Sequence, residues 1–419
     1  MLRNLMFSTM PSSLAVSPVQ GEFHQKILAS TPMVNAYFGN TVSVSRDGKA
    51  MLITANGHNS NRGAAYVFRL VGNDWVQEAI LTAYDAVSND AFGTSGVISP
   101  DGSTVVIGSP DDDDRGSSSG SVYIFKKNAL ILENGGWQHK SKLTTSDGIA
   151  SDVFGFSVAC SENGDVVVAG AHGDDDLGSS CGAAYVFKKN ANDTWIQSQK
   201  LLGSNINASD HFGRAVGISA DASTIAIGAR GKAPGAFYVF RLIGSSYVEV
   251  YTEAGVVSVD TLGDAIALSD NGNVIVCGNS FATSPGGVAG SGHIRLLKYF
   301  PNSSLWSGEL ILQPDGAEAN NNFGFSVAVS GDGQVIVVGC HNDDDQGSSA
   351  GTAYIYKWVP NTKGGTTLTP TKIVDANSIS NSRFGYSVAV SGDGSIVLIG
   401  QRTWTVPGFA ATGAACIYK

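Results

Sequence analysis

Apolar positions in this chain repeat on two length scales. Within residues 152–202 they alternate from Phe156 to Ala159, run unbroken from Val166 to Ala169, and alternate again between Gly182 and Lys188. Alternation at period two marks a strand with one buried face, whereas a short unbroken apolar run marks a strand covered on both faces. The Asn163-Gly164 pair between the first two runs predicts a two-residue type I′ hairpin, because both residues tolerate a positive φ. A fourth run opens at Trp195. The pattern predicts four antiparallel strands, and no stretch carries the 3.6 period and end signals of a helix.

The second scale is the repeat of this whole unit. A Phe-Gly pair begins it at Phe38, Phe92, Phe154, Phe212, Phe323 and Phe384, and Leu262-Gly263 fills the missing place. Each third strand starts with a Gly followed six positions later by a basic residue, as in Gly63 and Arg69, Gly120 and Lys126, or Gly413 and Lys419. Seven starts imply a seven-bladed β-propeller of four-stranded blades, the all-β architecture that such periodicity favours. The sequence ends after a third strand, while Phe23 to Ser30 matches the fourth-strand pattern ahead of Phe38. The expected closure pairs that N-terminal strand with the last one, hiding an open sheet edge. Residues 21–419 are read as the propeller and residues 1–20 as an N-terminal arm.

Composition adds limits. Charged residues make up 15 % of the 419, Gly counts 52, and the net charge is −10. An acidic surface lacks the basic footprint of a nucleic-acid binder and suits a cation or a basic partner. Cys160, Cys181, Cys277, Cys340 and Cys416 stand singly and read as small core residues rather than a disulfide framework. No apolar run is long enough for a membrane span, and Pro11 and Ser12 interrupt the segment where a secretory signal would be continuous.

The Phe-Gly openings, together with Gly-Ser-Pro at 108–110 and Gly-Ala at 170–171 and 228–229, resemble FG-GAP repeats. That family includes the integrin α-subunit propeller and many bacterial and algal surface proteins with a GDDDxGSxxGxAYVF variant of the unit. The resemblance implies a propeller that binds or assembles without catalysis, set on a cell surface, in extracellular matrix or on a virion. In integrins calcium occupies a long Asp-rich loop between the first two strands. Here that loop is reduced to short turns such as Asp101-Gly102, so that site is absent.

Candidate chemistry lies in other loops. In an up-and-down blade the loops between strands two and three share a face with those between strand four and the next strand one. Three acidic loops fall there: Asp111, Asp112, Asp113 and Asp114; Asp174, Asp175 and Asp176; and Asp343, Asp344 and Asp345. Clustered carboxylates beside Ser hydroxyls are an oxygen-rich environment suited to Ca²⁺, although Asp, Gly and Ser also simply build turns. Calcium at these residues predicts a melting temperature that rises with the ion. The linkers add Asp85, Asp90, Asp147, Asp152, Asp210 and Asp315, and Asp90, Asp147, Asp152 and Asp210 are read with them as a partner-binding face. The basic strand ends fall on the opposite face. Neither the seven histidines nor any Ser shows the spacing of a hydrolytic or zinc site. The expected partner is another protein or identical subunits, with a glycan bound between blades as the alternative.

Overall fold

The computed structural model describes residues 21–131, 133–256, 260–283, 287–303, 305–314, 318–360 and 366–419. The arm at 1–20 and Asp315 lie outside them. Among the described residues, twenty-eight strands form seven four-stranded antiparallel sheets, each in sequence order apart from the closing one. Blade two is representative, with strands Ser95–Ile98, Thr104–Ser109, Ser121–Lys127 and Trp137–Leu143. In the seventh blade Phe23–Ile27 lies beside Ala414–Tyr418, with Lys26 opposite Cys416 and Ile27 opposite Ala415. The outer strand of the last blade thus comes from the beginning of the chain.

The second strands are buried along their length, for example Thr104–Ser109 and Val335–Cys340, because neighbouring blades cover both their faces. The apolar clusters lie between blades: one joins Leu52 and Val67 of blade one to Val105 and Phe125 of blade two. Trp75, Trp137 and Trp195 are buried in these clusters, as packing residues should be, and all five cysteines are buried and free.

The short turns are not type I′. In all seven the amide of the second residue donates to the carbonyl three positions earlier, as from Gly102 to Ser99 and from Ala222 to Ser219. Only that residue has positive φ, +70° at Gly102, while the acidic residue before it does not. The turn is therefore Ser-x-Asp-Gly, with Asn before the Gly at Asn163 and Asn271 and Ala222 in place of the Gly in blade four. Its Ser is the element missing from the prediction. Ser99 Oγ donates to Asp101 Oδ1 at 2.6 Å and accepts the Thr104 amide at 2.9 Å, and all seven serines make the amide bond.

The two strongest sequence markers meet across every blade boundary. Phe154 N donates to Ser119 O at 3.1 Å and the Phe154 backbone pairs with Gly120 of the preceding blade. A Cβ on Gly120 would stand 2.1 Å from Phe154 O, so Gly is required by close approach as well as by its φ of +84°. The Phe154 ring packs edge-on against Tyr185 of its own blade, centroids 5.7 Å apart. One residue thus holds two blades together, and the seven Phe or Leu side chains are fully buried. A Ser two positions after each of four Phe-Gly pairs adds a further tie. Ser387 Oγ donates to Gly39 O at 2.9 Å, joining blade seven to blade one.

Candidate functional site

Each acidic loop begins where a second strand ends, and its three consecutive aspartates do three different things. In blade three Asp174 is buried, with Oδ2 2.7 Å from the Tyr185 hydroxyl. Asp175 accepts the Ser180 amide at 2.6 Å and closes its own loop. Asp176 is exposed. Blades two and six repeat the division: Asp112 and Asp343 are buried, Asp113 and Asp344 accept the amides of Ser118 and Ser349, and Asp114 and Asp345 reach outward. Asp111 aligns with Gly173 and Asn342, stands outside the pattern and is exposed.

Alternate residues, not consecutive ones, converge, and the linker before the blade supplies the third carboxylate. Asp85, Asp112 and Asp114 form one trio, and Asp147, Asp174 and Asp176 another, each with an oxygen from every member within 4.8 Å of the rest. Such a trio offers enough oxygens to hold a metal ion. A side chain stands at the point of convergence, however. Lys142 Nζ is 2.8, 3.0 and 2.6 Å from Asp85, Asp112 and Asp114. Lys200 Nζ is 2.9, 2.8 and 2.5 Å from Asp147, Asp174 and Asp176. In blade six Lys372 pairs with Asp343 and Asp345.

The electrostatics follow from this geometry. Burial opposes the charge on Lys200, yet the carboxylates outweigh it and hold the ammonium above its usual range. Burial likewise works against ionised Asp147, but Lys200 and the Tyr185 hydroxyl leave it below the ordinary carboxyl value. Burial and then Asp174 push the Tyr185 phenol up, so it stays a donor. The cation that these carboxylates require is part of the chain.

Lys142, Lys200 and Lys372 were missed as site residues, although a signal was present. Each precedes the apolar residue that ends its fourth strand, in Lys142-Leu143, Lys200-Leu201 and Lys372-Ile373. Lys26-Ile27 repeats it in the closing strand, where Lys26 meets buried Asp375 at 2.5 Å and lies 3.5 Å from the Trp404 ring centre.

The linker aspartates need a correction. Asp90, Asp152 and Asp210 are 3 %, 3 % and 7 % exposed and accept the amides of Val87, Ile149 and Asn207 within their own loops. They shape the face but do not offer it to a partner; of the four proposed there, Asp147 alone is exposed. Because their amides are tied inward, Val87 and Ile149 are turned out, at 55 % and 53 % exposure. Tyr84 and Leu177 stand out on the same face. On the opposite face Arg69 and Lys127 share Glu78, and Lys189 meets Asp165 at 2.6 Å, so part of the expected positive charge is neutralised locally.

A family model described as FG-GAP repeat matches residues 22–68, 75–125, 137–187, 195–240 and 306–356, more than half of the chain. Each matched segment runs from an outer strand through the third strand of the following blade, the same phase that the closing strand Phe23–Ile27 adopts. No curated protein matches the chain. Among solved structures it is similar to hydrazine synthase of Kuenenia stuttgartiensis, with 12 % identity, a TM-score of 0.57 and coverage of 89 % of this chain and 94 % of that one. At that identity the likeness concerns the fold alone.

Proposed function

Since the chain belongs to the FG-GAP repeat family, we propose that it is a non-enzymatic binding or structural assembly module that docks a protein, or copies of itself, on the face carrying the acidic loops. The observation that carries this reading is the mixed character of that face. Exposed carboxylates of Asp114, Asp176 and Asp345 stand in the same loop layer as outward-turned Tyr84, Val87, Ile149 and Leu177. Apolar side chains beside polar ones are the composition that a protein interface uses. A cell-surface, matrix or virion setting fits such a module.

The non-enzymatic reading draws on how the reactive groups are held. Burial keeps His172 and His341 neutral, each at about 3, and the buried carboxylates of Asp112 and Asp174 are bonded to Lys and Tyr. For the trios we favour an internal ammonium over a resident calcium ion, because a divalent ion at the same point would have to displace Lys142 or Lys200.

Pull-down of the partner from the native source tests the docking face. Asp176→Lys with Val87→Asp should weaken capture about tenfold or more, while Lys49→Glu on the opposite face should leave it unchanged. The reverse order would place the interface elsewhere. A glycan array run with the same variants distinguishes a lectin.

A further inference from the structure

The seven first strands line a central channel of about 310 Å³. At one end Arg46 bars it, with its guanidinium 2.5 Å from Glu162 and 2.7 Å from Asp270 on other blades. Toward the acidic face, the residue after each Phe-Gly pair precedes the channel-lining strand. Phe156, Arg214, Asp264, Phe325 and Tyr386 hold these positions. Residues ending the second strands, including Arg230 and Arg402, stand beside them.

The chemistry of this mouth is unlike that of the surrounding face. Arg214 lies over the Phe156 ring at 4.6 Å, and Arg402 lies over Tyr37 at 4.2 Å and Tyr386 at 5.0 Å. Asp264 is already held by Arg230 at 3.0 Å. Arg402 bonds Asn40 Oδ1 at 2.9 Å, a neutral acceptor; among the described residues neither Arg214 nor Arg402 forms a salt bridge, and Asp264 acts on Arg214 only from a distance. Their half-burial contrasts with Arg295, which is fully buried and reaches Glu253. Next to them His172 and His341 each keep a buried Nδ1 without a hydrogen-bond partner, against Phe156 at 4.4 Å and Phe325 at 4.1 Å. A cationic, aromatic hub therefore sits inside an acidic rim.

We propose that this axial mouth binds a small monocarboxylate, with Arg214 and Arg402 as the groups that receive its charge. A planar guanidinium backed by a ring presents its N–H fork in a fixed direction, which suits a carboxylate. The acidic rim repels multiply charged anions, and the aromatic side chains beside the guanidinium groups offer faces for the body of a small ligand. This site goes beyond the docking reading, since it needs no macromolecular partner and lies at the axis rather than on the rim.

Isothermal titration of the full chain with sodium glucuronate, sodium benzoate and inorganic phosphate tests it. Saturable binding of either carboxylate, stronger than that of phosphate, is expected. Glucuronate alone would identify a sugar acid and benzoate alone an aromatic acid. Arg214→Met and Arg402→Met should each weaken the interaction at least about tenfold, and Arg115→Met on the rim should not. Arg214→Lys guards against loss of fold, because it keeps the charge and should bind with intermediate strength. Phosphate binding best, no binding by either carboxylate, or equal effects of the Met substitutions at 115, 214 and 402 would each overturn the site.

Discussion

At the scale of single residues, two positions work against their own repeats, and both make predictions. Ala222 occupies the turn position that Gly fills in the other six blades and is held at φ +57°, where a Cβ is strained. Ala222→Gly should raise stability by about 0.5–1 kcal/mol, read as a higher denaturant midpoint, and a drop would show that lost packing dominates. Asp152 is the second. Burial raises its carboxyl to about 6, with Asp174 adding to the shift against the opposing Ile149 amide. A carboxyl raised on folding favours the native state below its unfolded value near 3.8 and loses that contribution as pH rises through about 6. Asp152→Asn keeps an oxygen for the Ile149 amide and removes the buried charge; blade six carries Asn321 at this place. It should stabilise the protein on the order of 1 kcal/mol at pH 8 and by nothing at pH 4. Equal effects at both pH values would refute the buried-charge argument.

At the scale of the element, the acidic loop and the end of the fourth strand form one unit. The loop supplies Asp174 and Asp176, the linker Asp147, the third strand Tyr185 and the fourth strand Lys200. Removing the ammonium leaves a buried carboxylate unpaired, so Lys200→Met should cost about 3 kcal/mol in thermal or denaturant unfolding at pH 7.5. The same substitution should make stability depend on calcium, with the melting temperature recovering in millimolar Ca²⁺ through mass action. Wild-type protein should melt alike in EDTA and in calcium. A rise of the wild-type melting temperature with calcium would favour the metal reading over the internal ion pair.

At the scale of the whole molecule, stability depends on closing the ring. Phe23–Ile27 covers the edge of Ala414–Tyr418, Lys26 holds Asp375, Phe38 backs onto Gly413, and Ser387 reaches Gly39. Around the far end of the channel a chain of backbone bonds passes from blade to blade, as from Arg46 to Pro100, Asp101 to Glu162, and Gly392 to Arg46. Deleting residues 21–30 opens an apolar edge and loses the burial of Ile27, itself worth about 2 kcal/mol. The truncated protein should melt earlier and self-associate on size exclusion. An unchanged monomer with an unchanged melting curve would contradict the clasp. Charge at this scale is radial on one face, cationic at the axis and acidic outside, and on the other it is paired in part, at Arg69, Lys127 and Lys189.

Fold and closure were legible in the sequence because they rest on periodicity: Phe-Gly starts, Gly-led third strands and an unbroken second strand recur however the blades are arranged. The Ser of each turn was equally present but looked like ordinary loop composition until its hydroxyl was seen to hold both ends of the turn. The candidate site was legible only as a set of acidic loops. Which carboxylates converge depends on residues about 25 to 60 positions apart, such as Asp147, Asp174 and Lys200, meeting across one blade. Whether an Asp faces solvent or caps its own loop depends on where the backbone amides point, and linear order does not record that. The axial mouth is further still from the sequence, since Arg214 and Arg402 become neighbours of Phe156 and Tyr386 only when seven sheets close around an axis. Local pattern determined the blades; ring closure, by bringing distant charges into a shared low-dielectric space, decided which of them are spent within the structure and which remain for a ligand.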